Sequence, residues 1–362
     1  MKSQTQRWIH KFIKRDAIKP PQILVLGFAF TILLGTFLLN TDYATQAAGP
    51  PGFLTALFTA TSAVCVTGLV VVDTGTFWSV AGQNIILALI QIGGLGFMSM
   101  TTLIFLVMGK RITIKERMII KDSLNYNSLE GIIRFVRYIL VFTFSIEFIG
   151  AVLLSFSFIP AFGVGTGIRR SIFHSISAFC NAGFDIMGGG KSLTAFVDDP
   201  IVNLSVMMLI ILGGIGFSVF RDVVEKRNFK RFQLHTKVVL TMSGFLIIFG
   251  AGLVFLLEYN NQLADLNWGS KVMASFFQSV TARTAGFNTI NTGMIEGGTL
   301  SLVMVLMFVG GSPGSTAGGV KTTTLGTIVF TVLSVFKGRD ETEIFHRTIS
   351  RNVVRRATSL IF

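Results

Sequence analysis

The sequence has few residues of the kinds that keep a protein soluble or build an active site. Of its 362 residues only 14% are charged, and it contains four histidines and two cysteines. A soluble protein of this length needs a larger charged fraction, so the composition excludes an ordinary soluble domain. The histidines show no metal-ligand spacing, and no nucleophile motif or pair of carboxylates stands out. We therefore predict that the chain is not an enzyme and binds no cofactor.

Long apolar runs are abundant instead. Hydrophobic residues make up 51% of the chain and include 35 phenylalanines. A membrane-spanning helix needs about 20 predominantly apolar residues. The best candidate runs cover residues 23–39, 80–108, 138–159, 201–220, 238–257 and 300–336. The first run lacks a small-residue cleavage site and is predicted to be retained. The predicted fold class is an all-α polytopic membrane protein.

Acidic residues are scarce, and the basic residues are unevenly distributed. The chain has 31 Lys and Arg against 18 Asp and Glu, a formal net charge of +13. Twenty-five of the basic residues lie in residues 1–22, 109–137, 221–237 and 337–356. Basic flanks mark the cytoplasmic side of a membrane. The pattern predicts a multi-pass protein of the cell membrane, surrounded by lipid and with a cytoplasmic N-terminus, and it argues against nucleic-acid binding.

One cassette occurs three times, each time between two apolar runs. The copies read FTATSAVCVTGL from Phe58, FHSISAFCNAGF from Phe173 and FFQSVTARTAGF from Phe276. Repetition at this scale indicates one structural unit copied several times. A short helix that leads into a glycine-bearing extended stretch between two spans is how a cation selectivity filter is built. The predicted filter residues are Val66, Thr67, Gly68, Asn181, Ala182, Gly183, Thr284, Ala285 and Gly286.

Glycine explains how such a stretch would coordinate a cation. A dehydrated cation needs a shell of oxygens, and backbone carbonyls supply one without net charge. Positive φ angles, which glycine adopts freely, let successive carbonyls point at one axis. The short helices would aim their negative C-terminal ends at the ion. The predicted architecture is therefore a set of repeated helix–pore helix–filter loop–helix units around a central cation pore, three complete and a fourth only begun.

These features divide the chain into segments. The predicted organisation is a cytoplasmic basic lead (1–22), pore repeat one (23–108), a cytoplasmic linker (109–136), pore repeat two (137–220), a second cytoplasmic linker (221–237), pore repeat three with a gate loop (238–336), a cytoplasmic segment (337–356) and the start of a fourth repeat (357–362).

Each cassette is followed by a second landmark. Repeats one and two carry QIGGLGF at 91–97 and ILGGIGF at 211–217, where glycine pairs permit close helix packing or a kink. The third version, at 308–319, reads FVGGSPGSTAGG and cannot form a regular helix. Unwound backbone at membrane depth is tolerated only where it is buried in protein or lines water. We predict a gate loop beneath the filter, formed by Gly310, Gly311, Ser312, Pro313, Gly314, Ser315, Thr316, Ala317, Gly318, Gly319 and Lys321.

A phosphate-binding loop is the alternative interpretation of this glycine-rich segment. That motif requires Gly directly before Lys, whereas Val320 separates Gly319 from Lys321. No strand is predicted before it, so nucleotide binding at this loop is disfavoured.

Arg283 and Glu147 are charged residues inside the predicted repeats. Charge within the membrane is costly and by default marks a functional hypothesis. We expect Arg283, which directly precedes the third filter, to brace the filter backbone. Glu147 is a candidate buried hydrogen-bond partner, and the sequence assigns it no role.

Two cysteines and two aspartates lie near the filters. Cys65 and Cys180 could form a disulfide in principle, but we favour two small packed residues near the pore. Asp73 and Asp185 follow their filter glycines by five and two residues. They either concentrate cations at the outer mouth or serve as ordinary turn residues.

The motifs together resemble those of a known family. AVCVTGLVVVDTG, QIGGLGFM, SAFCNAGF, GGIGF, TARTAGFN and the GS-rich loop before Lys321 are similar to the membrane subunit of bacterial Ktr-type potassium-uptake systems, within the Ktr/Trk/HKT superfamily. The resemblance implies four membrane–pore–membrane repeats around one pathway, with K⁺ at Gly68, Gly183 and Gly286. Glycine rather than serine at the first position implies K⁺ rather than Na⁺. The resemblance also implies a gate loop, a homodimer and a cytosolic ring of nucleotide-binding regulatory subunits.

The sequence departs from this pattern because a fourth cassette is not present. A pore lined by three of four repeats would have an open flank, with unsatisfied polar groups facing lipid. Two alternatives therefore stay open beside K⁺ uptake. One is a truncated, non-conducting chain, and the other is an ion-coupled secondary transporter, in which broken helices also occur.

Overall fold

The computed structural model describes residues 20–47, 49–96, 99, 131–339, 341–345 and 347–361. Most of the predicted basic lead (1–22), most of the linker at 109–136 and the end of the second apolar run lie outside the described residues. The helices are α1 (Pro20–Leu39), α2 (Phe53–Val64), α3 (Val80–Leu95), α4 (Ile132–Phe162), α5 (Val164–Phe179), α6 (Pro200–Ile215), α7 (Phe217–Lys226), α8 (Leu234–Glu258), α9 (Trp268–Thr281), α10 (Gly297–Phe308), α11 (Thr322–Phe336) and α12 (Arg351–Ser359); a small antiparallel hairpin pairs β1 (Glu343–Ile344) with β2 (Arg347–Thr348).

Three successive groups of helices have the same order. Each group consists of an outer helix, a short helix that precedes a filter stretch, and an inner helix: α1, α2 and α3, then α4, α5 and α6, then α8, α9 and α10. Within each group the short helix packs against its own outer helix. Neighbouring groups meet through contacts of α3 with α5 and of α6 with α9. The short helices therefore lie inside the bundle, and the outer helices lie around them.

The helices differ in how far they could cross a membrane. Among the described residues, α4 and α8 are each long and apolar enough to span, and the pair α6 and α7 would do so together although it is bent by 97°. The shorter apolar helices include α10 and α11, which divide the predicted run at 300–336. The division follows from the glycines and proline between them, which disfavour helix.

The surface of the bundle is apolar, as expected for a protein in lipid. Phe148 on α4 and Ile248 on α8 are 70% and 67% exposed, and many other large hydrophobic side chains share this orientation. The interior holds the aromatic residues of the cassettes, including Phe173, Phe179 and Phe287, together with many serines and threonines. Large exposed apolar surfaces mark lipid or protein contact, so the bundle is a multi-pass membrane protein.

The glycine pairs of the inner helices bring those helices against the short helices. A Cβ on Gly93 would lie 2.1 Å from the carbonyl oxygen of Val64, and one on Gly213 would lie 1.9 Å from that of Phe179. Each carbonyl belongs to the last residue of a short helix. The predicted close packing is therefore present. The predicted kink is present in repeat two, because Gly216, with φ of 99°, separates α6 from α7, and the two helices are bent by 97°.

Candidate functional site

The three filter stretches (residues 66–68, 181–183 and 284–286) share an unusual backbone. In each, the first residue and the glycine have positive φ, with values of 54° and 73°, 56° and 69°, and 78° and 90°. The first residues are Val66, Asn181 and Thr284. Positive φ is costly for valine and threonine, whereas asparagine tolerates it better. Such strain at matched positions is typical of functional sites.

The three stretches come together. A Cβ built on Gly68 would lie 2.4 Å from the carbonyl oxygen of Ala182, and one on Gly183 would lie 2.3 Å from that of Ala285. The position on Gly286 is 3.6 Å from the Cα of Gly183. Residues separated by more than 100 positions in sequence therefore form one tight cluster. No side chain larger than hydrogen fits between neighbouring stretches at Gly68 and Gly183, whereas a Cβ on Gly286 would meet only ordinary van der Waals contact.

A hydroxyl on each short helix holds its filter stretch, which the sequence analysis overlooked. Ser177 Oγ donates to the carbonyl of Phe184 at 2.7 Å, and Thr281 Oγ1 donates to that of Phe287 at 2.7 Å. In repeat one, Ser62 Oγ instead lies 2.9 Å from Thr67 Oγ1. The recurring hydroxyl, five or six residues before each glycine, was the signal that would have revealed this contact.

These hydroxyls also show that the cassettes are not of equal length. The hydroxyl residue precedes the filter glycine by six positions in repeats one and two, and by five in repeat three. Aligning the cassettes from Phe173 and Phe276 is therefore wrong by one residue within the short helix. The residue that corresponds to Phe173 is Phe277, and both are buried.

A cavity of about 780 Å³ adjoins the cluster on the side between repeats one and three. Its lining includes Val66 and Thr67 from the first filter, Thr284 and Gly286 from the third, and Thr316 from the gate loop. Residues of two filter stretches therefore line the same space as residues of the gate loop.

The gate loop is an unwound segment between α10 and α11, as the sequence predicted for this stretch. Its two ends meet where Val309 pairs with Val320 in a parallel bridge. Gly310 N donates to the carbonyl of Val320 at 3.1 Å, and Gly311 N donates to that of Gly318 at 3.2 Å. Lys321 Nζ donates to the carbonyl of Ala317 at 2.8 Å. The loop therefore has an internal hydrogen-bonded structure of its own.

Glu147 is a buried hydrogen-bond partner. It is 4% exposed, and Gln91 Nε2 donates to its two carboxylate oxygens at 3.0 and 3.1 Å. Cys180 Sγ lies 3.9 Å from the nearer oxygen. Ser175 Oγ on α5 donates to the backbone carbonyl of Glu147 at 2.6 Å. The residue thereby joins the inner helix of repeat one to the filter-bearing part of repeat two.

The expectations for Arg283 and for the two cysteines have different outcomes. Arg283 is buried, but its Nε and Nη1 atoms have no hydrogen-bond partner among the described residues, so these atoms do not brace the filter backbone. Both cysteines are free, as favoured, and Cys180 is buried as expected, whereas the expected packing is wrong for Cys65, which is exposed. Cys65 lines the cavity beside the first filter, on the side where no described helix covers it. Packing around each cassette thus depends on its neighbours and not on the cassette alone.

Asp73 and Asp185 occupy turns at the outer ends of the filters. Asp73 accepts hydrogen bonds at 2.8 Å from the backbone amides of Thr76 and Gly190, and so links the outer loops of repeats one and two. Burial raises the pKa of Asp73, but these hydrogen bonds outweigh burial and bring the pKa below its usual 3.8. Burial raises the pKa of Asp185, although the amide of Met187 donates to its carboxylate.

The sequence matches one protein family over residues 14–361, and the family is described as "TrkH: Cation transport protein". A similar protein is Ktr system potassium uptake protein B of Bacillus subtilis (strain 168), which is 44% identical over 352 residues, covering 97% of this chain and 78% of that protein. Potassium/sodium uptake protein NtpJ of Enterococcus hirae is 43% identical over 350 residues, covering 96% and 77%.

The structure is also similar to a solved one. The crystal structure of the potassium transporter TrkH from Vibrio parahaemolyticus superposes with a TM-score of 0.67 and covers 96% of this chain and 70% of that chain. Sequence identity between the two is 18%. At this identity the likeness shows that the fold is shared.

Proposed function

Because the chain belongs to the TrkH family of cation transport proteins, which are transporters and not enzymes, we propose that it carries K⁺ into the cell through the clustered filter stretches. The observation that carries this proposal is the convergence of Gly68, Gly183 and Gly286, each in a stretch with alternating positive φ. Backbone carbonyls arranged in this way replace the hydration shell of a cation without adding charge. The backbone carbonyls of the nine filter residues, 66–68, 181–183 and 284–286, are the K⁺ ligands.

Potassium is the favoured substrate for two reasons. The names of the two similar proteins describe uptake of potassium, or of potassium and sodium. In the first filter, Gly68 has no side chain that could add a hydroxyl ligand or narrow the path. The carboxylate of Asp73 is negatively charged at neutral pH, and this charge in the outer loop favours cations near the entrance.

The gate loop controls the passage below the filter. Thr316, Ala317 and Gly318 line the same cavity as the filter residues, so this segment lies against the filter cluster. We further propose that the N-terminus is cytoplasmic and that the transporter works as a homodimer in the cell membrane. A cytosolic, nucleotide-binding regulatory ring acts on the gate loop from the basic cytoplasmic side.

The open side of the filter cluster requires one more element. A dehydrated cation needs oxygens all around it, whereas the described filter stretches leave a cavity between repeats one and three. In the working transporter an additional pore element, from this polypeptide or from a partner, closes this side. Cys65, which is exposed there, would become covered.

Potassium-dependent growth tests the proposal. Cells that lack their own K⁺ transporters would express the chain at low external K⁺, with and without a cytosolic regulatory subunit. We expect rescue of growth, weaker rescue by Gly68→Ser, and altered uptake on deletion of residues 310–319. Gly252→Ser is the matched control, since Gly252 lies on α8 with open space at its Cβ position. A chain that reaches the membrane but never rescues growth would support the non-conducting alternative.

A further inference from the structure

The gate loop is anchored to repeat two. Ser312 N donates to the carbonyl of Gly214 at 2.9 Å, and Thr316 N donates to that of Gly213 at 3.2 Å. In return, Phe217 N, at the start of α7, donates to the carbonyl of Gly314 at 3.0 Å. These three bonds fasten the loop to the point where α6 ends and the chain bends. The loop and the bend of repeat two therefore share backbone hydrogen bonds.

A side-chain contact extends this anchor to the second filter. Asn181 Nδ2 donates to Thr316 Oγ1 at 2.9 Å, and Thr316 Oγ1 donates to the carbonyl of Phe179 at 3.0 Å. Asn181 is 2% exposed, so this contact is shielded from water. Asn181 Nδ2 also donates to the carbonyl of Phe179 at 3.3 Å, so the three residues form a closed ring of hydrogen bonds between the end of α5, the second filter and the gate loop. We call this contact, between Asn181, Thr316 and the Phe179 carbonyl, the filter–loop contact.

The geometry leaves room for this contact only because of a glycine. A Cβ on Gly213 would lie 1.9 Å from the Phe179 carbonyl oxygen and 2.9 Å from Asn181 Nδ2. The carbonyl that accepts from Thr316 is therefore the same one against which α6 packs most closely. Movement of the gate loop, of α6 or of the second filter must change the hydrogen bonds of the other two.

The matched residues of the other filters do not make this contact. Val66 has no polar side-chain atom, and Thr284 Oγ1 is buried without a hydrogen-bond partner in the part of the chain that the structure describes. Asparagine suits the position twice, because it tolerates positive φ and its amide offers two donors. Among the three described filter stretches, the second is thus the one whose side chain reaches the gate loop.

We propose that Asn181 and Thr316 are positioning residues that hold the gate loop beneath the second filter, and that opening of the pathway requires this contact to break. The inference rests on the proposed function, since it assigns a closing contact to the gate. The contact also makes the gate sensitive to the filter, because a shift of the Asn181 backbone moves the donor that holds the loop.

Hydrogen exchange of the gate-loop amides tests the contact without requiring transport. Thr316→Val removes the hydroxyl at nearly constant volume, and Thr316→Ser restores it. We expect exchange of the amides of Ser312 and Thr316 to become about three- to tenfold faster in Thr316→Val, the range that a net hydrogen-bond contribution allows, and to return toward the wild-type rate in Thr316→Ser. Thr327→Val on α11, whose hydroxyl bonds within its own helix at 2.8 Å, is the control.

Transport kinetics test the functional half of the inference. In K⁺ uptake without the regulatory subunit, Thr316→Val should raise Vmax several-fold and leave KM within about twofold, because the loop is released while the filter carbonyls stay in place. Thr316→Ser should return Vmax to the wild-type value. A Thr316→Val variant with unchanged Vmax and unchanged exchange, or a Thr316→Ser variant that behaves like it, would overturn the inference.

A double substitution shows whether the two residues act as a pair. Asn181→Gly keeps the positive φ but removes the amide, so Asn181→Gly with Thr316→Val should change loop exchange no more than either substitution alone. Additive changes would contradict the coupling. If the wild-type chain fails to transport, the proposed function fails, while the exchange measurements still decide whether this contact holds the loop.

Discussion

Repeats one and two meet through a buried polar contact, whereas the matching positions between repeats two and three are apolar. Gln91 on α3 donates to both carboxylate oxygens of Glu147 on α4. In the next pair of units the residue that corresponds to Gln91 is Ile211, and the one that corresponds to Glu147 is Ile247. We call the junction between repeats one and two the first seam, and the junction between repeats two and three the second seam. Copies of one unit are thus joined in two chemically different ways.

The correspondence between Glu147 and Ile247 follows from Gly150 and Gly250, which lie three residues further along α4 and α8. A Cβ on Gly150 would lie 2.5 Å from Ser175 Oγ, and one on Gly250 would lie 2.4 Å from Ser279 Oγ. Directional hydrogen bonds at the first seam fix one arrangement, because an unpaired buried polar group is costly. Apolar contacts at the second seam tolerate several arrangements. The filter–loop contact lies beside the second seam, so the loop that we propose to move borders the less restrictive junction.

The largest effect is expected from a methyl group beside the second seam. Gly213→Ala would place a Cβ 1.9 Å from the Phe179 carbonyl, and a backbone atom at the end of α5 cannot move aside cheaply. We expect a loss of about 3 kcal/mol of unfolding free energy, measured by thermal unfolding in detergent micelles. Gly214→Ala is the matched control, since its nearest neighbour is the Ala317 Cβ at 3.8 Å. Equal stability of the two variants would show that the seam adjusts to the added methyl group.

This pair of glycines also shows what the sequence could predict. The GG motif predicted close packing because glycine lets helices approach. Which of the two glycines makes the contact depends on the rotation of α6 against Phe179, and no local pattern records that rotation. The filter glycines were predicted from three similar cassettes. The one-residue difference in the third cassette was not predicted, because the strings from Phe173 and Phe276 align over their full length when only the sequence is known.

Long-range partners were harder still to predict. Gln91 and Glu147 are 56 positions apart, and Asn181 and Thr316 are 135 apart. A sequence shows that Glu147 is out of place in an apolar run, but it does not show which donor meets it. The exposure of Cys65 likewise depends on which elements surround the first filter.

Removal of the carboxylate should break the first seam. Glu147→Ala leaves the Gln91 amide buried without an acceptor and creates a void, and we expect a loss of about 2–3 kcal/mol in thermal unfolding. Glu147→Gln keeps the shape and one acceptor oxygen, so its loss should be smaller.

A double substitution then converts the first seam into a copy of the second. Gln91→Ile with Glu147→Ile reproduces the residues at 211 and 247, and replacing both partners by apolar groups can be nearly neutral. We expect the double variant to be more stable than Glu147→Ala. A double variant that is less stable than Glu147→Ala would mean that the polar contact, and not burial alone, specifies how repeats one and two assemble.

The smallest expected effect on stability concerns the outer loops, where different hydrogen bonds join repeats one and two and repeats two and three. Asp73 accepts from Gly190 N between repeats one and two, whereas Ser192 Oγ accepts from Asn288 N at 3.1 Å between repeats two and three. The pKa of Asp73 is lowered by folding, so its contribution is complete above the unfolded pKa near 3.8 and is lost as pH falls through the lower folded pKa.

Asp73 is partly exposed, so Asp73→Asn should cost less than about 1 kcal/mol at neutral pH, and the difference from wild type should shrink below pH ~4. Ser192→Ala should cost about 1 kcal/mol at every pH, since no titrating group is involved. Thermal unfolding of both variants between pH ~3 and ~7 separates these cases. A pH-independent difference for Asp73→Asn would mean that its hydrogen-bonding shape, and not its charge, holds the outer loops of repeats one and two together.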